Sequence, residues 1–265
     1  MKMKEISLLL LSLFPLHAQS QGESEIQVYS SPITEKNVTF IELHSNYTLN
    51  GIDGLADPAS ARYLNESFEF THGLGRNFEM GFYFFGGFVP GSGYQYLGSH
   101  IRPRYTVPEK WNWPFGASIS AEFGLERHNV KEDFIWDGEI RPIIDKNIGQ
   151  WYISFNPNME FTLSGEDKHL ELTPQLKAVF TIQQKAGVGL EYYGTLGTFR
   201  KILPGELQEH LLGPMIDLYS LKDWEINGGF LFGLTPNSNH GIIKLVLGHR
   251  FSGAGRNSSF HREEK

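Results

Sequence analysis

From Gln150 to Leu163 apolar and polar residues alternate without a break. Trp151, Ile153, Phe155, Pro157, Met159, Phe161 and Leu163 fall on one face, and Tyr152, Ser154, Asn156, Asn158, Glu160 and Thr162 on the other. A period of two belongs to an extended strand, whose successive side chains point to opposite sides. At about 3.3 Å per residue the segment reaches about 40 Å, far beyond the roughly 5–6 residues of a soluble sheet strand and long enough to cross a membrane at a tilt. The same alternation predicts further strands at 38–49, 61–72, 77–86, 97–107, 115–127, 134–144, 169–182, 187–198, 211–219, 224–234 and 240–251. Tight turns such as Gly73-Leu74-Gly75-Arg76 are set against longer segments such as Asn50 to Ser60 and Phe199 to His210. That asymmetry is what outer-membrane barrels require. The expected fold is therefore all-β: a transmembrane antiparallel up-and-down β-barrel of about twelve strands, spanning residues 38–251.

The ends of the chain carry different signals. Lys2 and Lys4 precede an apolar run from Ile6 to Leu16 and then Ala18 and Ser20, the layout of a cleavable signal peptide over 1–20. Residues 21–37 are polar with no sustained period and are read as a periplasmic N-terminal segment, and 252–265 as a polar C-terminal tail. Phe251, which closes the last strand, looks like the terminal aromatic that the barrel assembly machinery reads, although here it is not the final residue.

Composition narrows the class. The mean hydropathy is -0.29 although 40% of residues are hydrophobic, as expected when apolar content is hidden in alternation. Beyond the N-terminus no apolar run approaches the ~18 residues of a spanning helix. A net charge of -7 without a basic cluster argues against a nucleic-acid partner, since phosphate binding needs grouped Lys and Arg. With Cys at 0, neither a disulfide framework nor lipidation at a cysteine is possible. An exported, cysteine-free chain of this pattern belongs in the Gram-negative outer membrane, with membrane lipid, the assembly machinery and a small-molecule solute as partners and no cofactor.

Candidate chemistry is sparse. HExxH is absent, and His44, His72, His100, His128 and His169 are scattered along the sequence, so no metal site is expected. His44 and Ser45 are strand neighbours and point to opposite faces, which prevents a catalytic pair, and no GxSxG elbow exists. No catalytic residue is assigned. The alternatives to a channel are a lipid-modifying barrel enzyme such as a lipid hydrolase, an adhesion or structural barrel acting through its long loops, and a secreted soluble β-sandwich.

The inward faces should carry the charges that hydrocarbon rejects. Glu79, Arg102, Arg104, Glu122, Arg141 and Glu160 are the expected lumen-lining residues. Hairpin counting brings Glu79 opposite Arg104, His100 near Glu122, and Glu122 near Arg141, with a slip of two residues permitted because it keeps the faces. Acidic groups outnumber basic ones by roughly two to one on these faces, so conduction should favour cations or neutral solutes. Trp111, Trp113, Trp151, Trp224 and Phe251 are read as an aromatic girdle. Pro103, Pro142, Pro157, Pro174 and Pro214 lie on the outward side, where bulges or frayed pairing are expected.

The run Phe68-Glu69-Phe70-Thr71-His72-Gly73-Leu74-Gly75-Arg76-Asn77-Phe78-Glu79-Met80-Gly81 resembles the repeated hairpin of a broad family of outer-membrane barrels, described as transporters and associated with the MetA pathway of phenol degradation. Val188 to Gly194 and Gly248-His249-Arg250-Phe251 are similar to it as well. The resemblance implies passage of small molecules and supplies no catalytic residue.

Overall fold

A computed structural model describes residues 25–51, 63–89, 91, 93–127, 133–165 and 168–252. The signal peptide 1–20, most of the loop 50–60 and the tail beyond 252 lie outside the described residues. The strands are β1 (Val38–Asn50), β2 (Tyr63–Gly75), β3 (Phe78–Val89), β4 (Gly93–Thr106), β5 (Gly116–Glu126), β6 (Ile135–Ile148), β7 (Trp151–Thr162), β8 (Leu170–Ile182), β9 (Ala186–Thr195), β10 (Gly197–Thr198), β11 (Lys201–Ile202), β12 (Glu209–Leu218), β13 (Trp224–Gly233) and β14 (Gly241–Ser252). The two-residue strands β10 and β11 form a small hairpin in the connection from β9 to β12. The other twelve close into one antiparallel barrel, sealed where β1 pairs with β14. Each alternating run of the sequence lands on one of these twelve.

Both chain termini of the barrel lie at the end that carries the tight turns, such as Arg76–Asn77 and Gly149–Gln150. The connection carrying β10 and β11 lies at the opposite end. Strands of 10 to 14 residues suit a tilted crossing, which needs ~9–11.

The prolines do sit on the outward face, and four of the five leave gaps rather than bulges, while Pro174 stands opposite Pro157 in an unbroken β7–β8 ladder. The β4–β5 ladder breaks between Ile101↔Phe123 and Arg104↔Ser120, the β6–β7 ladder between Ile140↔Met159 and Ile144↔Phe155, and the β12–β13 ladder between Leu212↔Phe232 and Met215↔Gly229. Pro103, Pro142 with Pro157, and Pro214 lie in those gaps, and the register is the same on either side. A missing N–H removes a rung without adding a residue, so nothing shifts. The register shifts fall elsewhere, at Thr48/Asn50, Gly73/Gly75 and Phe85/Gly86.

The outward face is apolar along its mid-height. Phe82, Ile101 and Phe123 oppose one another across three strands and are 45%, 51% and 39% exposed. A sandwich would bury such a face against a second sheet, whereas one closed sheet leaves it open, which rules out the soluble sandwich. Only hydrocarbon makes such a wall stable. Ile101→Arg should therefore cost about 2–4 kcal/mol, and Trp151→Arg at the strand end about 0–1 kcal/mol, in urea unfolding from lipid vesicles.

Candidate functional site: a charged interior crossed by the N-terminal segment

Alternation sends one side chain of every two inward, and the inward set is polar. Glu42, His44, Glu69, Glu79, His100, Arg102, Arg104, Glu122, Glu139, Arg141, Glu191 and Lys244 are all buried. In a closed interior such charges are tolerated only when paired.

Residues 25–36 fill the space between them. The sequence suggests a polar lead-in there, but the segment runs along the inner wall. Ile26 and Val28 pack into an apolar patch of Tyr193, Leu211, Leu231 and Ile242 from β9, β12, β13 and β14. The next side chain points the other way. The Tyr29 hydroxyl donates to Glu25 and lies 3.0 Å from Glu69 Oε2 and 2.7 Å from the Tyr83 hydroxyl. Its ring faces the guanidinium groups of Arg141, Arg102 and Arg104 at 4.3, 5.1 and 5.6 Å. Cation–π contacts are worth about 2 kcal/mol or more when desolvated.

The backbone of the segment is held as well. Tyr29 N–H donates to Asn156 Oδ1 (2.8 Å), and its carbonyl accepts from Ser154 Oγ (2.6 Å) and Asn156 Nδ2 (3.1 Å). Ser31 donates through N–H (2.6 Å) and Oγ (2.9 Å) to Asp145. Arg104 donates to the carbonyls of Ser30 and Pro32, and Thr34 N–H donates to Glu79 Oε2 at 2.6 Å. Glycine makes room for the passage: a Cβ on Gly73 would sit 2.0 Å from the Glu35 carbonyl oxygen, and one on Gly116 2.2 Å from Ser31 Oγ. A bulkier residue at either position would collide with the segment.

Glu79 and Arg104 are direct cross-strand partners, with Arg104 Nη1 3.6 Å from the carboxylate. Arg102 pairs with Glu69 and lies 3.4 Å from Glu79. His100 Nδ1 is 2.9 Å from Glu122 Oε1. The third expected contact is displaced: Glu122 faces Glu139, and Arg141 faces Ser120 and bonds Glu139 at 2.6 Å. The true register lies two residues from that given by hairpin counting, which keeps faces and exchanges partners. Glu160 is half-buried and stands opposite Glu139 on one side and Glu171 on the other.

Sequence reasoning missed Glu25, Tyr29 and Ser31, whose trace was the short alternation Ile26-Gln27-Val28-Tyr29. It also missed a second network, in which Lys177 bridges Glu191 (3.3 Å) and Asp217 (2.9 Å) and Lys244 meets Glu191 at 2.5 Å. Histidines scattered in sequence acquire carboxylate company in space: Glu25, His44 and Glu69 form one group with metal-ligand spacing, and His100, Glu126 and Asp137 another. His44 points inward and Ser45 outward, as strand geometry requires. His44 does stand opposite Ser67, but neither imidazole nitrogen nor the Ser67 hydroxyl has a hydrogen-bond partner, so no nucleophile is activated there. Trp111, Trp113, Trp151, Trp224 and Phe251 are all exposed and all lie at the tight-turn end.

No family model matches the chain, and no curated protein matches it. Among solved structures it is similar to an outer membrane channel from Pseudomonas putida F1, with a TM-score of 0.57 at 9% identity over 86% of this chain and 100% of that one. The outer membrane channel DcaP of Acinetobacter baumannii matches at a TM-score of 0.36, with 9% identity over 81% of this chain and 96% of that one. LpxR from Salmonella typhimurium matches at 0.39, with 9% identity over 80% and 99%. At these identities the likeness is one of fold, and the first match shares the closed twelve-strand barrel.

Two outcomes follow from the docked segment. Gly73→Ala should push the Glu35 backbone off the wall and make residues 25–36 susceptible to protease while the barrel stays intact, read by mass spectrometry of the digest. Burial, and then the carboxylates of Glu25 and Glu69, hold the Tyr29 hydroxyl well above its ordinary value. The docked form keeps its proton while a released Tyr29 ionises near pH ~10, so docking is fully stable below that pH and weakens above it. Tyr29→Phe should flatten this alkaline dependence, measured as protease susceptibility against pH, and should weaken docking at neutral pH by about 1–3 kcal/mol because Glu69 loses a buried donor.

Proposed function

We propose that the chain is a passive outer-membrane channel or transporter for small molecules, closed in the described state by its own N-terminal segment. The observation that carries this reading is the nature of the closure. An apolar outer wall encloses a polar interior, and the segment across it is bonded mainly through side chains of the wall, joining the ladder only at the Lys36↔Gly73 bridge and the Asn37 N–H to Gly73 contact. Such contacts can be exchanged for water one at a time, which strand pairing does not allow. The similarity in fold to an outer membrane channel supports the reading, as does the resemblance of the 68–81 hairpin to the phenol-degradation family of transporters. On this reading the chain is exported to the Gram-negative outer membrane, and the aromatic residues at the tight-turn end form the girdle on the periplasmic side.

The role is non-enzymatic. His44 and Ser67 face the interior and are fully buried, so this pair offers no activated nucleophile to membrane lipid. Carboxylates facing inward favour cations and neutral solutes over anions.

The chain has no cysteine, so a disulfide introduced by Ser31→Cys with Asp145→Cys would be the sole crosslink. In liposome solute-uptake assays, removal of residues 25–36 should raise uptake at least tenfold. The oxidised lock should abolish it, and reduction should restore it. Uptake that is indifferent to the lock would refute gating by this segment, and turnover of phospholipid or lipid A by the purified protein would refute the non-enzymatic reading.

A further inference from the structure

At the end of the interior opposite the tight turns, four glutamates stand side by side. Glu122 faces Glu139, Glu139 faces Glu160, and Glu160 faces Glu171, across β5, β6, β7 and β8. Directly opposed side chains have Cβ atoms about 4.5–5.5 Å apart, a spacing at which like charges destabilise a sheet. Glu126 and Asp137 add carboxylates just beyond the row, next to the connection from β5 to β6. His100 lies beside Glu122, Arg141 beside Glu139 and His169 beside Glu171.

His100 stands among three of these carboxylates, Glu122, Glu126 and Asp137. The side chain is 5% exposed, and its two ring nitrogens have different surroundings. Nδ1 meets Glu122 Oε1 at 2.9 Å in a hydrogen bond. Nε2 has no aligned hydrogen bond, although it lies 2.9 Å from Asp137 Oδ1 and 3.7 Å from Glu126 Oε2. With the imidazole neutral and its N–H on Nδ1 toward Glu122, the Nε2 lone pair faces the two carboxylates. This is the arrangement in which a carboxylate orients a metal-ligating imidazole. Ligands of a tetrahedral ion bound at about 2.0–2.2 Å lie roughly 3.3–3.6 Å from one another; these three donor atoms all lie within 4.8 Å, and Nε2 and Asp137 Oδ1, 2.9 Å apart, would separate slightly to admit the ion.

We propose that His100, Glu126 and Asp137 bind a divalent transition-metal ion, with Glu122 as the residue that positions the imidazole. The mixed nitrogen and oxygen donors favour the Co2+ to Zn2+ class over Mg2+ and Ca2+, which take oxygen ligands. The ion offsets the carboxylate charge of Glu126 and Asp137 and ties β4, β5 and β6 together at one end of the barrel. The second histidine group, Glu25, His44 and Glu69, is less suited because Arg102 already occupies Glu69 and Arg141 lies 3.6 Å from Glu25.

Full-length protein, folded in detergent and stripped with chelator, is titrated with Co2+, read by its visible absorption, and then with Zn2+ in competition. The expected result is a single equivalent of Co2+, displaced by Zn2+. It should be lost in His100→Gln and in the near-isosteric Asp137→Asn, weakened 10–100-fold in Glu122→Gln, and unchanged in His44→Gln. Heat-modifiable gel mobility checks that each variant keeps its barrel, and Asp137→Asn decides the matter if His100→Gln does not fold. Absence of binding at millimolar Co2+ would show that His100 acts as an imidazolium clamp and overturn the proposal. Binding that survives His100→Gln, or that disappears with His44→Gln, would overturn it equally.

Discussion

Closure of a single sheet is the constraint from which the rest follows. Once β1 pairs with β14, the backbone along the wall is paired within the wall except at the proline gaps, and each strand must divide its side chains between hydrocarbon and interior. Apolar residues take the outside, so most charges on the strands are committed to the inside regardless of whether water reaches them, with Glu66 and Lys146 as outward exceptions. The interior is thus crowded with groups such as Glu69, Arg102, Glu79 and Arg104, buried to within a few per cent. Removing one partner from such a set strands the other, at a cost of about 3–5 kcal/mol for a buried pair. That interdependence ties neighbouring strands of the wall to one another.

The N-terminal segment joins these networks from inside. Without the segment, the faces of Arg102, Arg104 and Arg141 would lose the Tyr29 ring, and Asp145, Ser154 and Asn156 would lose their backbone partners. The segment is complementary on both sides, with Ile26 and Val28 against the apolar patch and Tyr29 against the arginines. Each bond is one that water could replace, so release costs complementarity rather than leaving bare charges. A plug of this kind can be stable when docked and still leave without unfolding the wall.

The two halves of the interior are balanced differently. Around Glu191, the lysines Lys177 and Lys244 supply as much positive charge as the carboxylates need. Along the row from Glu122 to Glu171 carboxylates stand directly opposite one another, and that crowding is where a bound ion or a passing cation would be most strongly attracted.

The wall was legible in the sequence because it depends on a local property. A period of two identifies a strand, its phase identifies the face, and hydrocarbon enforces both, so twelve strands and the inward set of Glu79, Arg102, Arg104, Glu122 and Arg141 could be read from residue order alone. Adjacent-strand contacts such as Glu79 with Arg104 and His100 with Glu122 followed where the connection fixed the register. Across β5 and β6 it did not, and Arg141 joined Glu139 instead of Glu122, because a slip of two residues keeps every face and only summed packing and pairing select among such registers. The segment 25–36 was illegible for a deeper reason. It has no strand partner along most of its length to impose a period, and its partners at Glu69, Gly73, Arg104, Asp145 and Asn156 come from strands spread around the wall. Only closing the barrel brings those residues to face a common space, and so only the tertiary structure could make a plug of a polar leader and a cluster of scattered histidines and carboxylates.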